Sequence, residues 1–315
     1  MRLTVGHRQL DIDPGETVLQ ALGRQGVTLP SACKSGVCQA CLLRVVQGNP
    51  GAESRAGLRD SLTDRGFFLA CMARPGDDLT VALAADEAFT PATLESAVPV
   101  TDNVLRVWVK PADPVEFRPG QHVAVRRSGG IARVYSIANQ PCEAASDGIE
   151  LHVRVYPGGA MSGWLARAEP GSPLSLGLPA GDCCYLPADP LAPLLLAGTG
   201  TGIAPLAAIA RDAVAHAHRG PIVLIHGAAH PGGTYLGQLT RRVWPQEVRT
   251  RICTQSAGQD ITEAVLEEFA AFPDHASAHA YLCGGPGAVH RTRRALFLAG
   301  MSLGRIHADG FSAAT

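Results

Sequence analysis

Lysine is almost absent from this chain of 315 residues. Of 27 basic residues only Lys34 and Lys110 are lysines. Arginine-favouring codon usage accounts for that bias, so it marks no basic site. The acidic residues balance the basic ones to a formal net charge of -1, so no global field points to nucleic acid or an anionic membrane surface. No apolar run approaches the ~20 residues that span a bilayer. A strand-like pattern begins within a few residues of Met1, which leaves no space for a targeting segment. The expectation is a cytoplasmic protein with no membrane or nucleic-acid partner. Apolar residues are plentiful at 46%, enough for the two or three domain cores that this length suggests.

The nine cysteines fall into two groups. Cys33, Cys38 and Cys41 are spaced C-x4-C-x2-C, and Cys71 follows after a gap of 29 residues. That is the plant-type ferredoxin spacing for a 2Fe-2S cluster. Three thiolates share one loop, and the fourth arrives from a distant segment and closes the cage. Gly36 suits a loop that must turn tightly around an inorganic core. Structural zinc generally uses two C-x2-4-C pairs, and only one such pair exists here. A disulfide framework needs an oxidising compartment, against which the absence of a signal peptide argues. Cys142, Cys183, Cys184, Cys253 and Cys283 lie outside this set and default to small buried hydrophobes.

The N-terminal region reads as a strand over 2–5, its hairpin partner over 8–12 and a helix over 18–25, followed by the cysteine loop. A strand over 42–46, a short helix over 58–64, a stretch over 67–70 leading into Cys71, and a strand over 79–83 complete it. A small sheet, one helix and a cluster loop resemble the β-grasp ferredoxin fold. Gln39 departs from that pattern, in which Gly or Ser is commoner; it alters hydrogen bonding to sulfur without removing a ligand. Residues 84–92, with Asp86, Glu87, Pro91 and no apolar period, read as a linker. Short strands over 98–100, 104–109, 121–126, 134–138 and 149–156 suggest an antiparallel barrel. From Pro193 onward strands alternate with helices, the pattern of a doubly wound parallel sheet. Those strands cover 194–197, 222–226, 249–254, 280–283 and 305–307. The helices cover 204–217, 235–243, 261–269 and 288–298.

Arg133-Val134-Tyr135-Ser136 sits on a barrel strand behind a ferredoxin pattern. In that position it resembles the R-x-Y-S segment of the ferredoxin–NADP reductase superfamily. The resemblance implies that Arg133 pairs with a flavin pyrophosphate, as a planar cation suits phosphate. It implies that Tyr135 stacks on the isoalloxazine ring and that Ser136 hydrogen-bonds near the reactive N5. Val134 belongs to the same cofactor segment. The stretch from His152 through Val153, Arg154, Gly158, Gly159 and Met161 to Ser162 resembles the family's Gly-Gly-x-x-Ser cradle for the pyrophosphate. A helix beginning near Ser162 would add exposed amides.

Gly198-Thr199-Gly200-Thr201-Gly202 is by itself a weak phosphate-loop signal. In context it resembles the family's glycine-rich stretch for the nicotinamide coenzyme, with Gly200, Thr201 and Gly202 as contacts and Thr199 where Gly is common. Tyr281-Leu282-Cys283-Gly284-Gly285-Pro286 resembles the late Cys-Gly-x-Pro segment beside the nicotinamide. Cys283 thereby joins Ser136 as a candidate catalytic residue, and Gly284 is a cofactor contact. Phe311 resembles the C-terminal aromatic near flavin or nicotinamide. Ala229 and Gly233 stand where the family often has an arginine and an acidic residue. Neither a carboxylate for a ribose 2′-OH nor a base for a 2′-phosphate is therefore present. Family habit favours NADH, with NADPH left open. His226 and His230 have no third ligand at metal spacing and read as core or surface residues.

Over the whole chain the order of segments resembles the reductase components of bacterial oxygenases, such as those of naphthalene and benzoate dioxygenases and methane monooxygenase. The resemblance implies a ferredoxin domain over 1–86, a linker over 87–97, an FAD-binding barrel over 98–188 and an NAD(P)H-binding domain over 189–315. It implies a monomer passing electrons from NAD(P)H through FAD and a 2Fe-2S cluster to a terminal oxygenase or other protein acceptor. The protein supplies orientation, and the cofactors supply the chemistry. Two alternatives stand beside it. One is the same build serving a cytochrome P450 or a deoxysugar-forming enzyme. The other is a cluster carrier without hydride transfer, against which the intact flavin segments argue.

Overall fold

The structure, a computed structural model, describes residues 1–27, 29–31, 33–37, 39–83, 89–128, 131–185, 189–239, 245 and 247–311. Three sheets follow one another along the chain.

The first sheet holds β1 (Arg2–Val5), β2 (Arg8–Asp11), β3 (Leu42–Gln47), β4 (Phe67–Leu69) and β5 (Leu79–Leu83) in the order β2-β1-β5-β3-β4. The N-terminal hairpin lies parallel to β5, and α1 (Val18–Arg24) packs across the sheet. Thr17 caps α1 in a reciprocal box with Gln20, which satisfies two otherwise orphaned N–H groups. The buried face of the helix is Val18, Ala21 and Leu22. Leu3, Leu22, Leu43, Phe67 and Phe68 are fully buried, each contributing about 1.5–3 kcal/mol by leaving water. A single turn, α2 (Asp60–Thr63), stands where a longer helix was expected.

The second sheet runs β10-β7-β6-β11-β8-β9. Its strands are β6 (Phe89–Thr101), β7 (Val104–Pro111), β8 (His122–Arg127), β9 (Ala132–Ser136), β10 (Ile149–Arg154) and β11 (Pro173–Gly177). An antiparallel bridge between Ile137 and Leu151 joins the two outer strands and closes the barrel. The expected linker is corrected here. Residues 89–97 belong to the long strand β6, and 84–88 lie outside the described residues. Two prolines disguised this strand. Pro91 pairs with Ser175 beyond the end of β7, and Pro99 sits at a register shift in a stretch that β11 does not reach. Neither position requires a ladder N–H. The helix α3 (Pro141–Asp147) and strand β11 also went unread. Pro141 opens α3 inside a capping box between Gln140 and Glu143, and residues 141–147 carry too little apolar periodicity to announce it. The other short helix of this region is α4 (Ser162–Leu165).

The third sheet is wholly parallel in the order β14-β13-β12-β15-β16. Its strands are β12 (Leu194–Thr199), β13 (Ile222–Ala228), β14 (Val248–Thr254), β15 (His279–Gly284) and β16 (Ile306–Gly310), and its helices α5 (Ile203–Ala215), α6 (Leu236–Leu239), α7 (Ile261–Ala271) and α8 (Pro286–Leu298). Leu194 and Leu196 pack with α5, whereas Leu195 and Ala197 pack with α7 and α8. Burial on both faces explains the unbroken apolar run of β12. The strand order reverses between β12 and β15, and in such sheets the crevice at that point takes the ligand.

The first two domains are not separate bodies. Phe89, Ala124 and Ala132 of the barrel lie in one continuous apolar cluster with the ferredoxin core, and Val134 packs against it.

Candidate functional site

Cys41 and Cys71 meet in the ferredoxin domain, and Cys33 is close enough to act on Cys71 electrostatically; Cys38 lies outside the described residues, and the described cysteines alone do not form a closed ligand set. Lys34 and Gln39 have positive φ, as does Gly36 at +83°. That left-handed backbone costs a non-glycine residue energy, and here it coils the loop back on itself. The N–H of Ser35 points at the Cys33 sulfur at 3.4 Å. Cys71 is brought in by α1, whose first amides bond the Ala70 and Ala73 carbonyls at 3.0 Å. The Cys41 thiol beside Cys71 holds its pKa below the ordinary value, with help from the Gly36 N–H and against burial. Clustered thiols, one biased toward thiolate, with N–H donors aimed at sulfur, are the donor chemistry of an iron–sulfur site.

On the barrel, β9 alternates. Ala132 and Val134 face the ferredoxin core, whereas Tyr135 packs against the barrel core. Burial pushes the Tyr135 phenol upward, so it is neutral. The Arg133 guanidinium donates to the Ala132 carbonyl at 2.7 Å. Beside this strand, β10 ends at Arg154, and the chain turns at Gly158 with φ +71°. The Ser162 hydroxyl accepts the Tyr156 N–H at 3.2 Å. A Cβ on Gly159 would lie 2.3 Å from that oxygen, so only glycine permits the closure. Ser162 opens the single turn of α4 and fastens the cradle. Val153 and Met161 are buried in the barrel core. The His152 side chain faces away into the seam with the third domain. It contacts Glu150 at 2.9 Å and stacks on Tyr235 at 5.5 Å.

At the crevice of the third sheet, backbone meets backbone. A Cβ on Gly202 would lie 2.3 Å from the Cys283 carbonyl oxygen, and one on Gly284 (φ +127°) would lie 2.3 Å from the Thr199 hydroxyl. Thr199 Oγ1 accepts the Gly285 N–H at 2.9 Å. Thr199 therefore straps together the two segments expected to take the coenzyme. The Gly200 carbonyl accepts from His226 Nε2 at 3.2 Å, and burial lowers His226 to about 4, so this core imidazole is neutral. A guanidinium nitrogen of Arg154 would lie 3.4 Å from a Cβ on Gly200, which places the turn expected to cradle the flavin beside the loop over 198–202. Thr201 is half-buried at the loop's rim.

Cys283 is buried, its sulfur 3.6 Å from that of Cys183. The Cys183 thiol and burial push its pKa well above the usual thiol value. It is a neutral thiol, not a nucleophile. Phe311 donates its N–H to the Gly284 carbonyl at 2.7 Å, which fixes the chain end beside the coenzyme segment. One residue absent from the sequence reading joins this group. Asp309 pairs with Cys283 across β15–β16, and its carboxylate lies 3.5 Å from Ser136 Oγ. Burial raises its pKa, against the opposing influence of His122 and Ser136. Strand alternation was the available signal, because Asp309 shares a face with Phe311 two residues on. Ser136, Cys283, Asp309 and Phe311 thus meet where the barrel and nucleotide sheets abut.

Residues 3–76 match the family model of a 2Fe-2S iron-sulfur cluster binding domain, 91–185 that of an oxidoreductase FAD-binding domain and 196–294 that of an oxidoreductase NAD-binding domain. The chain belongs to the iron–sulfur flavoprotein reductases that serve oxygenase systems. It is 30% identical over 319 residues to terephthalate 1,2-dioxygenase reductase component 2 of Comamonas sp., covering 95% of this chain and 93% of that one. It is 32% identical over 344 residues to the aromatic O-demethylase reductase subunit of an Amycolatopsis strain, covering 99% of each. Among solved structures, Amycolatopsis cytochrome P450 reductase GcoB superposes with a TM-score of 0.67 at 32% identity, over 100% of this chain and 99% of that one. This reductase is an NAD(P)H-dependent oxidoreductase that binds a 2Fe-2S cluster, FAD and a nicotinamide coenzyme, and it passes electrons through them to a partner. Among the described residues no helix is long and apolar enough to cross a membrane, and the eight described cysteines form no disulfide.

Proposed function

We propose that this reductase delivers electrons one at a time to a terminal oxygenase acting on an aromatic compound. The observation that carries this reading is the meeting of the cluster loop and the flavin-barrel edge. Val37 reaches His122 of β8, and His122 stands opposite Ser136 of β9. FAD held there would supply the change from a two-electron hydride donor to single-electron transfer. The chain's residues orient that exchange. In this reading Arg133, Arg154 and the Gly158-Gly159 turn hold the pyrophosphate, Tyr135 lies against the ring, and Ser136 hydrogen-bonds at its reactive edge. Gly200, Thr201, Gly202 and Gly284 form the coenzyme crevice, and Cys283 and Phe311 line its inner wall. His152, Val153, Val134 and Met161 support the site from behind. In this reading the relay runs within one polypeptide and needs no second copy of the chain, and it takes NADH as donor in a reducing cytoplasm.

A second acceptor has its own support. The match to the aromatic O-demethylase reductase subunit spans nearly both chains, and GcoB is a cytochrome P450 reductase. The test begins by assaying one FAD and one 2Fe-2S cluster per chain. The protein is then reduced with NADH under nitrogen and mixed separately with a Rieske-type oxygenase and a cytochrome P450 from the same cell. Rapid oxidation of the reductase by one of them identifies the acceptor. Zinc without acid-labile sulfide, or no bleaching by either NADH or NADPH, would refute the relay.

A further inference from the structure

One side chain joins the iron–sulfur loop to the flavin edge. His122 opens β8 and is 5% exposed. Its Nε2 faces the Val37 carbonyl at 3.3 Å. Its Nδ1 faces the Asp309 carboxylate at 3.9 Å, and that carboxylate lies 3.5 Å from the Ser136 hydroxyl. A buried imidazole without partners is costly. Here each ring nitrogen is turned to a group on a different domain. The seat is shaped for the ring. His122 and Ala180 exchange backbone hydrogen bonds of 2.9 Å each way. At Gly181, φ is +96° and a Cβ would lie 2.8 Å from Nδ1, so only glycine leaves space for the imidazole. The Val37 side chain is 56% exposed, so the loop is held at this point by its carbonyl and not by apolar packing.

We propose that His122 is a positioning residue for the electron step between flavin and cluster. It pins the loop, one residue before Cys38, against the edge formed by Ser136 and Asp309. One electron leaves the reduced flavin and arrives on the oxidised cluster; His122 itself exchanges no electron and forms no covalent bond. This rests on the relay reading above.

The test compares His122→Phe and His122→Gln with wild-type holoenzyme. Phe keeps a ring but loses both nitrogens, whereas the Gln amide can still donate to Val37. Flavin bleaching by NADH and cluster reduction are followed separately by stopped flow, and amide exchange over 33–41 is followed by mass spectrometry. His122→Phe should hold both cofactors and bleach its flavin within about twofold of wild type. Its cluster reduction should slow on the order of tenfold to a hundredfold, the scale of a misplacement of about 1 Å in a reacting geometry. Amides over 33–41 should exchange faster, and His122→Gln should restore both properties. If Phe loses a cofactor, His122→Asn replaces it, because the shorter amide cannot span to Val37. Cluster reduction at the wild-type rate overturns the proposal, as do equal slowing in the Phe and Gln variants or unchanged loop exchange. Slowed flavin bleaching would place His122 in the hydride step through Asp309 instead, and also overturns it. A wild-type cluster that never reduces after its flavin bleaches would sink the relay itself.

Discussion

Gly202→Ala tests the coenzyme crevice with little ambiguity. Gly202 has φ -62° and ψ -16°, which alanine adopts freely. Through the unfolded chain the substitution would stabilise by about 0.4–1 kcal/mol. The cost is therefore steric. The new Cβ would lie 2.3 Å from the Cys283 carbonyl oxygen, 2.5 Å from its carbon and 2.7 Å from the Gly284 nitrogen. All three are backbone atoms, so no rotamer change gives relief. Moving from 2.3 Å to an ordinary 3.4 Å contact separates the β12–α5 loop from β15 by roughly 1 Å. Overpacking of this kind costs about 1–3 kcal/mol, so a net destabilisation of about 1–2 kcal/mol is expected after the gain in the unfolded state. A misplacement of about 1 Å in the reacting geometry can cost on the order of a hundredfold in rate. Flavin reduction by NADH should therefore fall far more than stability, while FAD content, cluster content and reduction by dithionite stay as in wild type. Stopped-flow bleaching beside a thermal melt measures both. A variant that is reduced by NADH at the wild-type rate would show that this backbone contact does not set the crevice.

Ser136→Ala should slow flavin reduction by NADH while flavin content stays near wild type; unchanged single-turnover reduction would refute the placement of Ser136. Cys71→Ser should abolish the cluster spectrum and transfer to cytochrome c yet retain ferricyanide reduction at the flavin, which the ratio of the two activities measures. Because Phe89, Ala124 and Ala132 share an apolar cluster with the ferredoxin core, the same variant should also lower the melting temperature of the flavin domain, against strict independence of the domains. Glu150→Gln breaks a buried network in which Glu150 meets Arg106 at 2.6 Å and His152 at 2.9 Å. It should cost about 2–3 kcal/mol near neutral pH, since hydrogen bonds to charged groups are worth about 1.5–3 kcal/mol and Arg106 can partly rehydrate. Burial pushes the Glu150 carboxyl up, but His152 and Arg106 together hold it below its ordinary 4.5. Its stabilisation is thus complete above that value and fades as pH falls through the lower folded-state pKa. Urea midpoints of variant and wild type should stay separated at mildly acidic pH and converge only in strong acid.

Much of the relay was legible in the sequence because its chemistry needs particular atoms at short spacings. The cysteines at 33, 38, 41 and 71, the Arg133–Ser136 segment, the Gly158-Gly159 turn and the glycines at 198–202, on which the proposed sites rest, are local patterns. The alternation of β12 to β16 with helices likewise declared a parallel sheet. Residues 89–97 were misread because prolines at 91 and 99 look like breaks until β7 and β11 show which N–H groups the ladder leaves unused. His122 and the strap from Thr199 to Gly285 carry no local signal, and strand alternation tells only which face Asp309 is on, not what it meets. Each acquires its role from a residue 85 or more positions away, and a pairing at that distance is set by how sheets pack, not by spacing along the chain. The sequence by itself determined which cofactors the protein binds and in what order its domains run. Only the tertiary structure decided where the ferredoxin domain sits, because that depends on an apolar face of β8 and β9 and on one buried imidazole meeting a loop carbonyl from another domain.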